Sequence, residues 1–294
     1  MHMYLDCIPC MISQGIFAAR ETGCDKERQK AVVDALAGKI PDFSLETTPP
    51  ELAVDVYRII REVTGSDDPF AAVKRASNEA ALSIYPDLIE RLEHSENPLL
   101  TAVQIAVLGN IIDYGADTNI DLKEEIRKIL EDEAAAIAGE EERLFDLETF
   151  MAEIASAGEV LCIGDNAGEI VFDRVLMELI RSQYPDITLR YAVRGRPIIN
   201  DVTMEDALAV GMDKVCEVVS SGCPAPGAVP RLCSEDFIRL MESADVIISK
   251  GQGNYEALSE TEYPVFFLLR VKCSVIAMDI PAKRGDVCLF RAEA

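Results

Sequence analysis

Histidine and basic residues are scarce in this 294-residue sequence. The two histidines, His2 and His94, are too few for a zinc hydrolase of the His-Glu-x-x-His class, which is excluded. Lysine and arginine number 28 against 52 acidic residues, so the net charge is −24. Such a charge repels nucleic acid and anionic membranes, and neither is expected as a partner. A phosphorylated ligand is repelled too, unless local cations reverse the field at its site.

Long apolar runs and a secretion signal are also missing. The most apolar stretch, residues 99–114, is interrupted by Gln104, Asn110 and Asp113, so it is not a membrane span. The N-terminus lacks the basic start and apolar run of a signal peptide. Nine cysteines, an odd number spread along a large chain, argue against a disulfide framework. We therefore expect a cytoplasmic protein with reduced thiols.

Helical periodicity covers the first half of the chain, and strands alternate with helices in the second half. Predicted helices cover residues 9–21, 26–40, 49–63, 68–93 with a bend or restart at Pro86, 97–114, 121–137 and 145–157. Predicted strands cover residues 160–163, 187–193, 215–219, 246–248, 265–269 and 275–278, with helices over 170–182, 204–210 and 234–243. This alternation predicts a mainly parallel sheet, with the last strands close enough for an antiparallel edge.

Polar loops follow the predicted strands. Asp165 and Asn166 follow the first strand, Asp201 lies in the loop after the second, and the third is followed by residues 220–227. Because the carboxyl ends of parallel strands share one edge, these loops should converge there. Asp165, Asn166 and Asp201 would then offer three oxygen ligands to a divalent cation such as Mg²⁺ or Mn²⁺. The alternative is that both aspartates only cap helices.

A local basic cluster accompanies these acids. Arg194 begins the second loop, and Lys250 lies in the loop of residues 249–256 that follows the fourth strand. Together they would provide the positive charge that a phosphate needs. Gly251 and Gly253 would let backbone N–H groups approach phosphate oxygens closely. The structural alternative is that both glycines serve turns. Taken together on one edge, these residues favour a ligand site.

Three further groups have either a structural or a functional interpretation. Cys7 and Cys10 form a Cys-x-x-Cys pair that packs or, with Cys273, holds an accessory metal. Asn110 and Asp113 share a helix face and either reach the substrate or serve the helix end. The same alternatives apply to the pair formed by Lys74 and Asn78.

Three of these motifs together resemble the signature of the metal-dependent damage-control phosphatases, a family long labelled domain of unknown function 89. The motifs are Gly164–Glu169, Asn200–Thr203 and Lys250–Asn254. Cys7 and Cys10, together with Lys272-Cys273, resemble the prokaryotic subfamily. The resemblance covers the whole chain. It implies an α/β fold with a three-layer α/β/α arrangement and a mainly parallel Rossmann-like sheet, preceded by an all-helical N-terminal part. We place the division between residues 1–150 and 151–294.

The resemblance also implies an activity and a set of site residues. It implies hydrolysis of phosphate monoesters, including sugar phosphates and damaged phosphometabolites, with a small phosphorylated metabolite as the partner. It implies a divalent cation (Mn, Co, Ni or Mg) on Asp165, Asn166 and Asp201. The expected catalytic residues are Asp165, Asp201 and Lys250. The loop and helix patterns described above, rather than the resemblance alone, give the expected substrate-binding residues: Arg194, Gly251, Gln252, Asn254, Asn110 and Asp113.

Two other functions remain open at the level of sequence. A carboxyl methyltransferase using S-adenosylmethionine would need a glycine-rich loop after the first strand, but Gly164 and Gly168 leave out the middle glycine of that pattern. Arg194 also stands where an acidic ribose ligand is expected. A non-catalytic module that binds phosphometabolites would use the same loops as an enzyme. The sequence does not indicate an oligomeric state.

Overall fold

The computed structural model describes residues 1–109 and 144–291. Its helices are α1 (Cys7–Glu21), α2 (Lys26–Lys39), α3 (Pro49–Thr64), α4 (Ala71–Glu93), α5 (Pro98–Leu108), α6 (Leu147–Ser156), α7 (Glu169–Gln183), α8 (Met204–Ala209), α9 (Glu235–Ser243), α10 (Gly251–Leu258) and α11 (Ser274–Asp279). Its strands are β1 (Glu159–Ile163), β2 (Thr188–Val193), β3 (Glu217–Ser220), β4 (Val246–Lys250), β5 (Val265–Arg270) and β6 (Val287–Arg291). The candidate residues Asn110 and Asp113 and the predicted helix over 121–137 lie outside the described residues.

Local signals fix the helix ends in residues 1–109. α3 begins with a capping box in which the backbone N–H of Thr48 donates to the Glu51 carboxylate at 2.8 Å. α4 continues through Pro86 as one helix, so the predicted restart does not occur. A proline in a helix removes one ladder hydrogen bond, and here the packing of the helix outweighs that loss.

The sheet has the strand order β3-β2-β1-β4-β5-β6. β1 pairs in parallel with both β2 and β4, and β6 alone runs antiparallel to its neighbour β5. The chain therefore adds β2 and then β3 on one side of β1, and later adds β4, β5 and β6 on the other side. The crevice at the carboxyl ends of β1 and β4 is the switch point where open α/β sheets bind ligands.

The mixed α/β fold and the mostly parallel sheet agree with the sequence prediction, but the last predicted strand is wrong. Residues 275–278 belong to helix α11, and the antiparallel edge strand is Val287–Arg291, which was not predicted. A four-residue apolar run fits either a buried strand or one turn of helix. Helix α10 was also missed, because residues 249–256 were assigned to the loop after the fourth strand. The three-layer arrangement and the boundary near residue 150 stay predictions.

Two apolar cores lie on opposite faces of the sheet. Val160 and Cys162 of β1 contribute to one core and Leu161 and Ile163 to the other, as strand alternation requires. The first core includes residues of α4, α5 and α7, and the second includes residues of α1, α2 and α3. The early helices and the sheet thus bury each other's apolar surface. No helix in the described ranges is long and apolar enough to cross a membrane.

Candidate active site

The loop after β1 brings Asp165 and Asn166 to the switch point. Gly164 precedes them at a crowded position, because a Cβ there would lie 2.4 Å from the hydroxyl of Tyr191. Gly168 ends the loop with φ +83°, a conformation that favours glycine, and α7 begins at the next residue. The tight turn leaves the Asp165 side chain only 7% exposed at the base of a cavity.

Backbone hydrogen bonds join the loop after β2 to this first loop. The N–H of Val202 donates to the carbonyl oxygen of Asp165 at 2.8 Å. Asn166 and Asp201 are paired in a short antiparallel bridge. The three residues predicted as cation ligands, Asp165, Asn166 and Asp201, are therefore brought together by main-chain contacts between two loops.

Arg194 lies buried behind the carboxylates. Its Nε donates to Asp201 Oδ2 at 2.6 Å and its Nη1 to Asn254 Oδ1 at 3.1 Å, while Nη2 lies 3.8 Å from Asp165 Oδ1. The side chain is 2% exposed and does not line the cavity. The structure thus places Arg194 where it fixes the orientation of Asp201, and the predicted direct contact with substrate stays a prediction.

The acidic side chains of the site are crowded in a buried environment. Burial raises the pKa of Asp201 to about 7, and the charge of Asp165 adds to the rise while Arg194 and Lys272 oppose it. Burial and Asp165 also raise the pKa of Glu169 to about 7, and Lys272 again opposes the rise. The site therefore holds more negative charge than its own basic residues neutralise.

This donor set fits a hard divalent cation. Asn166 donates through Nδ2 to Asp165 Oδ2 at 3.0 Å and to Glu169 Oε1 at 2.8 Å, which leaves its carbonyl oxygen Oδ1 for a ligand. Carboxylate and amide oxygens are the ligands that Mg²⁺ and Mn²⁺ prefer. Within residues 1–109 and 144–291, no three His, Cys, Asp or Glu side chains are grouped to hold a metal. The expected set of Asp165, Asn166 and Asp201 includes one amide oxygen, and its cation stays a prediction.

A cavity of about 310 Å³, here called the first cavity, opens above these residues. Lys272 is the one basic side chain among the described residues that line it. From the sequence, Lys272 was named only with Cys273 as a motif of the prokaryotic subfamily and was given no role at the site, because the loop after β5 was not counted among the site loops. A lysine two residues beyond the end of a parallel strand was the signal that could have identified it.

Lys250 points away from the first cavity. Its Nζ donates to the carbonyl oxygen of Ala106 in α5 at 2.6 Å and forms an ion pair with Asp173 of α7. Asp173 also accepts a hydrogen bond of 2.7 Å from the hydroxyl of Tyr191. The ammonium is fully buried beneath the site, and its expected contact with phosphate stays a prediction.

Asn254 connects the loops that follow β1, β2, β3 and β4. Its Nδ2 donates to the carbonyl oxygens of Gly164 at 3.0 Å and Lys250 at 2.7 Å. Its Oδ1 accepts from Arg194 and, at 2.9 Å, from the backbone N–H of Ala228. The side chain is fully buried. The structure thus places Asn254 as a structural link between the loops, not on the cavity wall.

The two glycines after β4 are required by close packing. Gly251 has φ +76°, and a Cβ there would lie 1.9 Å from Asp165 Oδ2. A Cβ on Gly253 would lie 2.0 Å from the carbonyl oxygen of Pro226 in the loop after β3. These contacts bring the N-terminus of α10, which carries unpaired backbone N–H groups, close to the Asp165 carboxylate.

Gln252 and the three candidate cysteines all line the first cavity. Gln252 Nε2 donates to Glu256 Oε1 at 3.0 Å and contacts Cys273 Sγ at 3.4 Å. Burial raises the pKa of the Cys7 and Cys10 thiols, with Glu256 and Cys273 adding to the rise. The accessory metal on these thiols stays a prediction.

Lys74 and Asn78 of α4 have structural partners. Asn78 Oδ1 accepts from the backbone N–H of Gly168 at 2.7 Å, and its Nδ2 donates to Asp206 Oδ1 at 3.1 Å. Lys74 forms ion pairs with Asp206 and, at 2.9 Å, with Asp68. This network fixes the turn that starts α7, so it supports the site from behind.

A protein-family model matches nearly the whole chain. The model described as the damage-control phosphatase ARMT1-like domain matches residues 3–287. The chain belongs to this family. Membership in the damage-control phosphatase family agrees with the resemblance that the loop motifs indicated, whereas the prokaryotic subfamily suggested by Cys7 and Cys10 stays a prediction.

Similar proteins support the family assignment. Damage-control phosphatases from Archaeoglobus fulgidus and Pyrococcus horikoshii (PH1575) are 34% and 32% identical over 96% and 99% of this chain, and over 96% and 98% of their own length. The crystal structure of a DUF89 family protein from P. horikoshii superposes with a TM-score of 0.88 at 30% identity, covering 100% of both chains. These relatives support a phosphatase function and do not favour the methyltransferase alternative.

Proposed function

We propose that this protein is a metal-dependent phosphatase that hydrolyses small phosphate monoesters, such as sugar phosphates or damaged phosphometabolites. The observation that carries the proposal is the meeting of Asp165, Asn166 and Asp201 at the base of the first cavity, with Lys272 on its wall. Oxygen ligands beside an exposed ammonium suit a cation and a phosphate that share one pocket.

The proposed cation is Mn²⁺, Co²⁺, Ni²⁺ or Mg²⁺, held by oxygens of Asp165, Asn166 and Asp201. When bound, such a cation polarises a phosphoryl oxygen and lowers the pKa of a bound water. It would also reduce the electrostatic repulsion among Asp165, Asp201 and Glu169. Burial raises the pKa of Asp201 and the pKa of Glu169. Arg194 keeps Asp201 in position through its 2.6 Å hydrogen bond.

The chain's own groups would position the ester. Lys272 offers an exposed ammonium to the phosphate oxygens, and its backbone N–H donates to Gln252 Oε1 at 3.2 Å. The N-terminus of α10 adds favourable dipoles for an anion. Phosphoryl transfer depends mainly on such positioning and charge stabilisation. Asp165 would either orient the attacking water or attack phosphorus itself, and transfer of an oxygen isotope into the enzyme separates these mechanisms.

The test is replacement of Asp165 or Asp201 by Asn, with phosphate release from an ester panel measured at several concentrations of each metal. We expect activity to fall more than about 100-fold, beyond the usual effect of losing an outer-shell partner. Calorimetry should show weakened metal binding in the same variants. Exposed Asp213→Asn is the control and should retain activity.

Two results would contradict the proposal. Wild-type turnover in a folded Asp165→Asn variant would place the chemistry elsewhere. Ester binding without phosphate release under any of the metals would favour a non-catalytic module that binds phosphometabolites.

A further inference from the structure

A second cavity of about 300 Å³ adjoins the first cavity. The two cavities share part of their walls, and α1, α3, α4 and α7 contribute to the second. The shared wall consists of Gln14, Asn166, Ile199 and Asn200. A molecule with its phosphate in the first cavity could therefore extend past Asn166 into the second. This places the second cavity where the organic part of an ester would lie.

Three aromatic side chains form one wall of the second cavity: Phe17, Tyr57 and Phe70. The ring centroids of Phe17 and Phe70 are 5.6 Å apart, and those of Tyr57 and Phe70 are 6.4 Å apart. Phe17 keeps 53% of its surface exposed although it is a large apolar residue. A continuous aromatic wall offers π-faces that attract a cation or a polarised C–H surface.

Two hydrogen-bond acceptors on the lining have no partner among the residues that the structure describes. Glu169 is 4% exposed, and its Oε2 is buried without a hydrogen bond, since only Oε1 accepts from Asn166. Gln14 Oε1 is likewise buried and unpaired. A buried acceptor left without a donor destabilises the folded protein, because it has lost its hydrogen bonds to water. A ligand that brings donors to both oxygens would remove that destabilising effect.

The charge of the second cavity differs from that of the first. Glu21 and Glu169 line it, and none of the lining residues that the structure describes is a lysine or an arginine. The first cavity instead carries Lys272. The pair of cavities thus presents a positive group at one end and acidic, aromatic surroundings at the other.

We propose that the second cavity binds the organic part of the ester and prefers a protonated primary amine there, so that the protein favours amine-bearing phosphate monoesters. This inference rests on the proposed phosphatase function. An ammonium group has three N–H donors, enough for Glu169 Oε2 and Gln14 Oε1. Its positive charge is also attracted to the faces of the three aromatic rings. A hydroxyl at the same place has one donor and no charge.

The experiment compares glucosamine 6-phosphate with glucose 6-phosphate, which differ by an amine in place of one hydroxyl. Binding to the Mn²⁺-loaded protein is measured by calorimetry at neutral pH, and phosphate release is measured separately. We expect the amine ester to bind about 3–10-fold more tightly than the hydroxyl ester. This is roughly the effect of one cation–π contact that is exposed or partly buried. Glu21→Gln and Phe17→Leu should each reduce this ratio, and exposed Glu27→Gln should leave it unchanged.

The outcomes separate the two proposals. Equal or weaker binding of the amine ester, including no binding of either ester, would overturn the preference, as would a ratio unaffected by both Glu21→Gln and Phe17→Leu. Amine-selective binding without phosphate release would leave the cavity assignment standing and overturn the phosphatase proposal. Phosphate release without amine selectivity would support the phosphatase proposal and overturn the proposed preference for an amine.

Discussion

Single residues decide how closely the site loops approach one another, and Gly251 has the least room. We expect Gly251→Ala to displace the Asp165 carboxylate, because the new Cβ would lie 1.9 Å from its Oδ2. A shift of about 1 Å at a catalytic group can lower activity roughly 100-fold. Phosphate release and metal affinity should both fall.

A matched control for Gly251 exists in the same chain. Gly65 also has φ +76°, but no atom lies within 4 Å of a Cβ built there. Gly65→Ala therefore carries the backbone strain alone, about 1–2 kcal/mol, without the collision. If both variants lose the same stability and keep full activity, the contact between Gly251 and Asp165 is not what limits the site.

Glu256 on the wall of the first cavity makes stability depend on pH. Burial raises its pKa from 4.5 to about 7, with Asp165 and Asp279 adding to the rise. The folded protein then holds this proton over a pH range in which the unfolded chain has released it. The free energy of unfolding of the metal-free protein should therefore fall between about pH 4.5 and pH 7, by at most about 1.4 kcal/mol per unit.

Glu256→Gln tests this dependence, because glutamine can keep the acceptor for Gln252 and cannot ionise. Urea unfolding across the pH series should show the variant gaining stability over wild type above pH 7 and matching it near pH 4. The same change at exposed Glu79 should leave the wild-type curve in place. A wild-type curve that rises through this window in parallel with the variant would refute the prediction.

At the level of elements, the Asn78 side chain of α4 contacts both Gly168 at the start of α7 and Asp206 of α8. Asn78→Ala removes the acceptor for the buried Gly168 N–H and a donor to Asp206. We expect the free energy of unfolding to fall by about 1–3 kcal/mol, the cost of an unpaired buried group. Metal affinity should also weaken, because Gly168 ends the loop that carries Asp165. Ser83→Ala on the exposed side of α4 is the control, and equal losses in both variants would show no special role for Asn78.

The elements show what could be predicted from the sequence. The βα units and the convergence of Asp165, Asn166 and Asp201 were predictable, because parallel strands present their carboxyl ends at one edge. The antiparallel edge strand was not predictable, because the apolar runs at 275–278 and 287–290 are both short. Only packing against β5 decides which of the two runs pairs with it as a strand.

The direction of Lys250 could also have been predicted. Side chains alternate along a strand, so Lys250 shares a face with Ile248, which packs in the same core as α7. Asp173, one helical turn after Glu169, is then its natural partner. The second cavity had no comparable signal, since its walls come from four helices distant in sequence and depend on tertiary packing.

At the level of the whole molecule, both cores combine early helices with the later sheet. We expect fragments 1–150 and 151–294, expressed separately, to lack cooperative unfolding, because each loses the apolar partner of its exposed face. Dye binding to exposed apolar surface and near-UV dichroism would measure this against the full chain. A sharp unfolding transition in fragment 151–294 alone would instead support an independent catalytic domain.

The position of β1 in the middle of the sheet has a consequence for biosynthesis. Its two neighbours, β2 and β4, follow it in the chain, and all helices of residues 1–109 leave the ribosome before any of these strands. The nascent polypeptide must therefore carry the uncovered apolar sides of α1 to α5 through most of translation. Chaperones that bind exposed hydrophobic surface on nascent chains should consequently determine how much of this protein reaches the native state.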